Sequence, residues 1–389
     1  MSLFFDAVQD NACVSKVLQH AFRELSLYRG VPLYSSKTPF SFKKSEVVCE
    51  KGVADCQKEV AVCENVTVAF EKSVDAFDKI SVEKNVFWLE CELLLAHVLE
   101  LRREDIFMAQ EKILDSEQLE RFFYFFQRLK EGEPLAYIIN TKEFYGLSFY
   151  VDDRVMIPRP ETEMLVETLK ELHENRNEHL NSDIYLESEC RLKNYDCLKS
   201  SNYLKDDVCL KNDVRLKRDI KFVDIGTGSG NLAIALAHIF KNAHVLALDV
   251  SKDALDVASM NVRRFGLENR VLLRQNDLLS GFADENFDAV VANLPYIGTE
   301  KYHFVSDQTK RFEPHLALFG GSDGLECYRR LFLQITQMKI RPRYVLGEIG
   351  FLQGEGLRTE AARFFPEIFC EIRQDLAGLD RMFVLKMYP

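Results

Sequence analysis

The segment "KFVDIGTGSGN", Lys221–Asn231, places three glycines directly after a short apolar strand pattern and directly before the helical pattern "NLAIALAHIF". Glycine at positions 226, 228 and 230 lets the backbone approach a ligand where a Cβ atom would block it. The dinucleotide-binding fingerprint would need a glycine at position 231, and no Gly-Lys-Ser/Thr of a phosphate-binding loop follows. By itself the segment predicts a strand, a tight turn and a helix, with ligand binding only modestly favoured over a simple turn.

The chain after this segment alternates between strand patterns and helical patterns. Such alternation predicts a parallel, doubly wound sheet with helices packed on it. The predicted fold class is therefore α/β, with a Rossmann-like sheet that is mostly parallel. The further strand patterns are "HVLALDV", "VLLRQND", "FDAVVANLPY", "RYVLGEIG" and "DRMFVLKMY".

Polar residues stand at the ends of successive strand patterns. Asp249, Asp277 and Asn293 each close one pattern, and ligands of open α/β sheets bind beyond the carboxyl ends of the strands. A carboxylate such as Asp249 can accept hydrogen bonds from a ribose diol, unless it caps the next helix, a task for which Ser251 competes. Asp277 is placed to meet an adenine edge, and Leu278 to pack on the adenine face. This edge of the sheet is therefore predicted to hold a nucleoside-type ligand.

Together these features resemble the class I methyltransferases, which use S-adenosylmethionine. The resemblance implies S-adenosylmethionine as the cofactor of this chain. No metal site is expected, because the histidines show no metal-ligand spacing. The residues assigned to the cofactor by this resemblance are Asp224, Gly226, Thr227, Gly228, Ser229, Gly230, Asp249, Asp277, Leu278 and Asn293.

The tetrapeptide "NLPY", Asn293–Tyr296, resembles the Asn/Asp-Pro-Pro-Tyr motif of members that methylate amino groups. The resemblance implies that Asn293 offers its side-chain carbonyl, and Leu294 its backbone carbonyl, to the two N–H groups of a planar nitrogen. Pro295 would stiffen the turn, and Tyr296 would pack on the flat group. Positioning in a dry site can lower a barrier by ~7–11 kcal/mol, so no strong base is required. Without the glycine loop, the tetrapeptide would be equally consistent with a turn that ends a strand.

Longer segments narrow the resemblance to the PrmC/HemK family, the protein-(glutamine-N(5)) methyltransferases of peptide chain release factors. The similarity runs from Gly132 to the C-terminus, apart from residues 175–219. It implies methyl transfer to the glutamine of the Gly-Gly-Gln motif of class-1 release factors. The segments that carry it are "GEPLAYIINTKEFYGLSFYVDDRVMIPRPETEMLVE", "VDIGTGSGN", "DALDVASMNVRRFG", "FEPHLALFGGSDGLECYRRL", "GEIGFLQGE" and "DLAGLDRMFV".

Helical patterns dominate the first part of the chain. Apolar residues at Val14, Val17 and Leu18 follow helical spacing. The apolar segments "VFWLECELLLAHVLEL" and "DSEQLERFFYFFQRLKEG" come next, the second with Asp115 or Ser116 as its cap. Residues 1–140 are predicted to form a helical substrate-recognition domain, with extra sequence at about 34–79.

The spacing of apolar residues changes from a helical to a strand pattern at the end of this domain. "EFYGLSFYVDDRVMIP" predicts a β-hairpin, and residues 141–158 are interpreted as a linker. Residues 159–389 are predicted to form the methyltransferase domain, with a polar, repetitive insertion at 175–219. The segment "IPRPETE" is predicted to be structural rather than catalytic. Phe312–Pro314 and Gly320–Gly321 are expected to shape the loop after the fourth strand, where a substrate-facing role is equally open.

Two alternatives remain open at this stage. "NLPY" also resembles the motif of ribosomal RNA adenine dimethyltransferases, and Leu294 stands where the PrmC/HemK family usually has proline. The first alternative is therefore an exocyclic-amine (adenine) methyltransferase acting on RNA or DNA. The net charge of -11 argues against it, because no overall field would attract nucleic acid. The second is a non-catalytic protein that keeps S-adenosylmethionine as a structural ligand.

Composition indicates the compartment. The N-terminus shows no basic region followed by an apolar one, so no signal peptide is predicted. No apolar run approaches the ~18–20 residues of a membrane span. The ten cysteines form no C-x-x-C pair. A cytoplasmic protein is expected, with a release factor as partner, no direct nucleic-acid binding and no membrane association.

Overall fold

The computed structural model describes residues 13–28, 86–175, 219–299 and 305–387. The chain divides into two compact units, Met1–Ile139 and Asn140–Pro389. The extra sequence at 34–79 and residues 176–218 of the predicted insertion lie outside the described residues.

The described part of the first unit is helical. Its helices are α1 (Val14–Tyr28), α2 (residues 86–99), α3 (Arg103–Met108), α4 (Ser116–Lys130) and α5 (Leu135–Ile138). Their apolar stripes meet in one core that includes Val17, Leu94, Leu95, Phe122 and Phe126. Asp115 is the cap of α4, as one of the two predicted candidates: its Oδ1 accepts from the Gln118 backbone N–H at 2.8 Å. The predicted helical N-terminal region is confirmed.

The second unit begins with a short antiparallel hairpin. Strands β1 (Lys142–Phe144) and β2 (Leu147–Phe149) pair around Tyr145 and Gly146, both of which have positive φ. Phe144 and Phe149 are buried and pack against each other edge to face. A 3-10 turn at Pro160–Thr162 then leads into helix α6 (residues 163–175). The hairpin predicted in this region is confirmed, and it is shorter than the segment proposed for it.

Seven strands of the described chain form the main sheet. They are β3 (Ile220–Ile225), β4 (Ala243–Asp249), β5 (Val271–Gln275), β6 (Ala289–Ala292), β7 (Tyr344–Glu348), β8 (Cys370–Gln374) and β9 (Asp380–Lys386). Their order is β5-β4-β3-β6-β7-β9-β8, with β3 to β7 parallel and β9 antiparallel to both of its neighbours. The predicted mostly parallel, Rossmann-like sheet is confirmed.

Helices cover both faces of this sheet. On one face the core includes residues of α6, α7 (Asn231–Ile239) and α8 (Lys252–Arg264). Two short helices, α9 (Asp307–Phe312) and α10 (His315–Leu318), follow β6 in the chain. On the other face the core includes residues of α11 (Glu326–Thr336) and α12 (Gly354–Phe364). Neighbouring residues of a strand point to opposite faces, so Val291 joins a core with Leu236 of α7, whereas Val290 joins a core with Phe332 of α11. No helix in the described ranges combines the length and apolarity needed to cross a membrane.

The strand order decides where a ligand can bind. The chain runs outward from β3 to β4 and β5, then crosses back to β6 on the other side of β3. Such a reversal leaves a crevice beyond the carboxyl ends of the central strands. The loops after β3, β4, β5 and β6 therefore meet at one edge of the sheet.

Candidate active site

Backbone hydrogen bonds and positive φ angles define the shape of the glycine loop after β3. The backbone N–H groups of Gly226 and Thr227 donate to the Leu248 carbonyl at 2.8 and 2.9 Å, which ties the loop to β4. Gly226, Gly228 and Gly230 all have positive φ, a region that side chains rarely adopt. A Cβ on Gly228 would meet only the Gly226 carbonyl, at 4.0 Å, and would otherwise extend into open space. The loop therefore presents bare backbone.

A cavity of about 340 Å³ opens in front of this loop, within the second unit. Its volume lies in the range of small-molecule sites, ~300–1,000 Å³. The predicted site residues that line it are Gly226, Thr227, Gly228, Ser229, Asp249, Asp277, Leu278, Asn293, Leu294 and Pro295. The tertiary structure thus brings most of the predicted residues together around one space.

Asp224 is placed differently from the prediction. Its side chain is fully buried beneath the loop, where Oδ2 accepts from the Thr227 hydroxyl at 2.6 Å and from the Ala233 backbone N–H at 3.2 Å. Oδ1 has no hydrogen-bond partner among the described residues. Burial raises the pKa of Asp224 to about 7. Asp224 does not line the cavity, so its position supports the loop and the start of α7 rather than a ligand.

Gly230 is also set back from the cavity. A Cβ on it would lie 3.3 Å from the Ala258 Cβ of α8 and 3.4 Å from Ile234 Cδ1. The glycine therefore allows close packing of α7 against α8. Nearby, buried Asn261 of α8 donates to the Ser229 and Tyr150 carbonyls, at 2.9 Å each, which anchors the loop to the chain after the hairpin.

Asp249 lines the cavity at the end of β4. Its Oδ2 accepts from the Gly228 N–H and its Oδ1 from the Ser251 N–H, both at 2.9 Å. Ser251 is the cap of α8, because its hydroxyl oxygen accepts from the Ala254 N–H at 3.2 Å. Burial raises the pKa of Asp249. Each carboxylate oxygen keeps a further lone pair for a ligand hydroxyl.

Asp277 and Leu278 line the cavity after β5. Asp277 forms an ion pair with Arg330 of α11, and both side chains are about half exposed. Leu278 is buried and adopts a positive φ of 50°. Cys327, one turn before Arg330, lies beside them, and burial raises the pKa of its thiol. This end of the cavity offers an apolar side chain next to an acceptor, as an adenine requires.

Asn293 and Leu294 also line the cavity, directly after the end of β6. A Cβ on Gly226 would lie 3.3 Å from Leu294 Cδ2 and 3.7 Å from the Asn293 carbonyl oxygen. The acceptor motif therefore lies so near the glycine loop that a side chain on residue 226 would crowd Leu294. Leu294 is buried and packs in the core between β6 and α11. A leucine here fills apolar space in the core, and the residue also lines the cavity.

A buried hydrogen-bond network lies behind Asn293. The Asn293 Nδ2 donates to the Thr162 hydroxyl at 3.0 Å, and that hydroxyl donates to Glu348 Oε2. The Tyr296 hydroxyl donates to Glu348 Oε1 at 3.1 Å. Tyr296 was predicted to pack on the substrate, but its hydroxyl points to Glu348 and the residue does not line the cavity. Burial and the Glu348 charge raise the pKa of the Tyr296 phenol.

Thr162 and Glu348 were not among the predicted site residues. Thr162 lies in "IPRPETE", which was predicted to be structural, yet its side chain lines the cavity beside Asn293. Glu348 closes β7 in "GEIG", another strand that ends in a polar residue. Polar residues at strand ends are the signal that identified Asp249 and Asn293, and the same signal applied to β7 would have identified Glu348.

Two loops contribute Pro158 and Pro314 to the lining of the cavity. Glu313, buried after α9, accepts from the Ile157 backbone N–H at 3.1 Å and from the Arg159 guanidinium. These bonds join "IPRP" to the loop after β6. Within the described ranges no group of three His, Cys, Asp or Glu side chains is arranged to hold a metal ion.

Comparison with known proteins agrees with this geometry. Residues 87–139 match the family model of the PrmC N-terminal domain, and residues 216–318 match that of a methyltransferase domain. A release factor glutamine methyltransferase of Bacillus cereus is 33% identical over 298 residues, which are 76% of this chain and 91% of that protein. The protein of the same description from Nitratidesulfovibrio vulgaris is 34% identical over 299 residues, 75% of this chain and 86% of that one.

Among solved structures, the N-terminal domain of human METTL16 in complex with SAH matches with a TM-score of 0.42 and 16% identity, over 68% of this chain and 84% of that chain. The sequence relatives identify the family, because their identity exceeds 30% over three quarters of the chain. The chain belongs to the family of release factor glutamine methyltransferases, the PrmC/HemK family.

Proposed function

We propose that this enzyme transfers the methyl group of S-adenosylmethionine to the side-chain amide nitrogen of the glutamine in the Gly-Gly-Gln motif of a class-1 release factor. The observation that carries the proposal is the closeness of the glycine loop to the acceptor motif: a Cβ on Gly226 would come within 3.7 Å of both Asn293 and Leu294, and all three residues line the cavity. Methyl donor and amide nitrogen would therefore be held next to each other.

The cavity residues fit S-adenosylmethionine. Gly228 leaves open space that a side chain would fill, so the backbone there can lie against the methionine part of the cofactor. Asp249 retains lone pairs for the ribose hydroxyls, and Leu278 with Asp277 offers a face and an edge for adenine. When bound, S-adenosylmethionine supplies a sulfonium methyl group that a weak nucleophile can take in one displacement.

The chain's own residues position the acceptor. The Asn293 side-chain carbonyl and the Leu294 backbone carbonyl are proposed to accept the two N–H groups of the glutamine amide. This holds the nitrogen lone pair toward the methyl group and disfavours rotation of the amide. The raised pKa of Tyr296 keeps the phenol protonated, so it does not act as a base. The nitrogen loses its extra proton to solvent once the bond to carbon has formed.

The helical first unit is proposed to recognise the release factor, and the second unit to carry the transfer. The match of residues 87–139 to the PrmC N-terminal domain supports this division. We also propose a cytoplasmic location. The four cysteines described as free thiols, Cys13, Cys91, Cys327 and Cys370, are consistent with a reducing compartment.

One labelling experiment tests the function. The protein is incubated with methyl-labelled S-adenosylmethionine and, separately, a class-1 release factor, ribosomal RNA and buffer. We expect label on the release factor, and no label on a factor whose Gly-Gly-Gln glutamine is replaced by alanine. Label on RNA alone would overturn the proposal in favour of adenine methylation, and the absence of label in every sample would overturn it in favour of a binding protein.

A further inference from the structure

A buried carboxylate lies directly behind the acceptor motif. Glu348 at the end of β7 is 3% exposed, and its two oxygens accept from the hydroxyls of Thr162 and Tyr296. Its backbone carbonyl accepts from the Tyr328 hydroxyl. The proposed transfer uses none of these groups, and a buried carboxylate is costly to maintain without a structural or functional reason.

The chemistry of these groups determines the direction of each hydrogen bond. An ionised carboxylate can only accept, so the Thr162 hydroxyl must donate its one proton to Glu348. The Thr162 oxygen then has only lone pairs to offer to Asn293. Asn293 must therefore turn its NH₂ group toward Thr162, which is the arrangement found, at 3.0 Å. Its carbonyl oxygen Oδ1 is left for the cavity.

We propose that Glu348 is a positioning residue that acts through Thr162 to hold the Asn293 side chain with its carbonyl oxygen toward the cavity. The inference deepens the proposed function and rests on it in one respect, namely that this carbonyl accepts an N–H of the glutamine amide. Glu348 touches neither the cofactor nor the reacting atoms, because it does not line the cavity.

The orientation matters because an asparagine amide has two nearly isosteric states. Its terminal torsion is broad and roughly two-fold, so an unrestrained side chain populates both. In the reversed state an NH₂ group faces the NH₂ group of the substrate, and both donors lack a partner. Fixing one state before the substrate arrives removes this unproductive population.

Ionisation of Glu348 couples this orientation to pH. Burial is the largest influence and raises the pKa of Glu348 to about 7; Glu161 raises it as well, whereas the bonds from Thr162 and Tyr296 and the charge of Arg381 lower it. A protonated Glu348 can donate to Thr162, whose proton then points to Asn293 and selects the reversed amide. Tyr296 and Tyr328 stay neutral, since burial raises the pKa of both.

A matched pair of variants at Thr162 tests the relay. Thr162→Val removes the hydroxyl at nearly constant volume, and Thr162→Ser keeps it. We expect Thr162→Val to lower kcat about ten- to hundredfold, the loss typical of an unpaired donor, with unchanged affinity for S-adenosylmethionine. Thr162→Ser should restore most of the activity. Thr162→Val combined with Asn293→Ala should be no slower than Asn293→Ala alone, because both changes remove one interaction. Independent, additive losses, or equal activity of the valine and serine variants, would overturn the proposal.

The pH profile gives a second readout. The kcat of the wild type should fall as the pH drops below about 7, where Glu348 takes up a proton. Glu348→Gln keeps the shape but does not ionise in this range, so it should be slower and lack this acidic limb. An unchanged limb in Glu348→Gln would contradict the assignment.

A readout without substrate separates this inference from the proposed function. In protein labelled with nitrogen-15 asparagine, the side-chain NH₂ signal that Asn293→Ala removes is assigned to residue 293. One of its protons should exchange slowly in wild type and Thr162→Ser, and rapidly in Thr162→Val. Equal exchange in all three would overturn the inference. A wild type that shows the protected proton but does not methylate release factor would refute the proposed function alone.

Discussion

Gly320 lies against the backbone carbonyl of Pro295, so closely that a Cβ on residue 320 would come well under 3.0 Å from that oxygen. Gly324 stands in the same relation to the carbonyl of Tyr296. The loop that carries both glycines is also bonded to the residue after the acceptor motif, since the Gly320 N–H donates to the Ile297 carbonyl at 3.0 Å. The Gln353 side-chain NH₂ donates to the Tyr296 carbonyl at 2.8 Å from a third direction. The carbonyls of Pro295 and Tyr296 are therefore closely surrounded by the glycine backbone and the Gln353 side chain.

Gly320→Ala should lower kcat about a hundredfold, because the added methyl group must push the acceptor motif by roughly 1 Å, and a misplacement of that size can cost about 10²-fold. Methylation of release factor under saturating substrates measures it. Gly356→Ala in α12 is the control, since its Cβ would lie 3.2 Å from a leucine side chain rather than against backbone. Equal activity of the two variants would show that the loop yields without disturbing the motif.

Asn293→Ala should leave the affinity for S-adenosylmethionine nearly intact and reduce turnover. One N–H of the glutamine amide loses its acceptor, at ~1–3 kcal/mol, which corresponds to about a ten- to hundredfold loss in kcat. Calorimetry measures the cofactor affinity, and labelled methyl transfer measures the turnover. Asn269→Ala, on an exposed turn, is the matched control. Unchanged turnover in the Asn293 variant would remove this residue from the mechanism.

Asp249→Asn should weaken binding of S-adenosylmethionine about ten- to hundredfold, because hydrogen bonds to a charged acceptor contribute ~1.5–3 kcal/mol. The turnover at saturating cofactor should change much less, since Asp249 ends β4 and the acceptor motif follows β6, with β3 between these two strands. Titration calorimetry tests the affinity, with Asp253→Asn on the exposed first turn of α8 as control. A variant that binds the cofactor as tightly as the wild type would contradict the assignment to the ribose.

Asp224→Asn should be at least as stable as the wild type at pH 8. Burial raises the pKa of Asp224 from its ordinary 3.8 to about 7 in the folded protein, so the folded state holds a proton that the unfolded state releases between these values. Stability therefore falls as the pH rises from about 4 to 7, and the ionised carboxylate destabilises the fold above that window. Asparagine is neutral throughout and its oxygen can still accept from Thr227 and Ala233.

Thermal unfolding at pH 5 and pH 8 measures this effect. The wild type should lose stability between the two pH values, and Asp224→Asn should lose less. Burial also raises the pKa of Glu348 to about 7, so its ionisation likewise lowers stability as the pH rises. Glu348 therefore accounts for the loss of stability that remains in Asp224→Asn. An Asp224→Asn variant whose stability falls as steeply as that of the wild type would show that Asp224 does not titrate in this window.

Much of the fold was predictable because its signals are local. The alternation of strand and helix patterns needs only neighbouring residues, and it predicted the mostly parallel sheet that β3 to β7 form. Turn chemistry is local as well: the three loop glycines all adopt the positive φ that glycine favours. The cap of α8 was predictable for the same reason, because Ser251 bonds to a residue three positions away.

The members of the cavity could be predicted where strand ends supply them. The carboxyl ends of parallel strands lie at one edge of the sheet, so Asp249, Asp277 and Asn293 line one cavity although they are far apart in sequence. The direction of a side chain could not be predicted in this way. Asp224 lies in β3, directly before the glycine loop, but its side chain points beneath the loop and accepts a hydrogen bond from the start of α7.

By itself, the sequence determined the α/β class, the glycine loop and the acceptor motif, because each depends on residues close together in the chain. Only the tertiary structure decided what stands behind Asn293. Thr162 is 131 residues from Asn293, and Glu348 is 186 residues from Thr162. No local pattern links positions so distant; they meet because β6 and β7 are neighbours in the sheet and the turn before α6 packs at their ends. The orientation of the amide at the centre of the site is therefore a property of the folded chain.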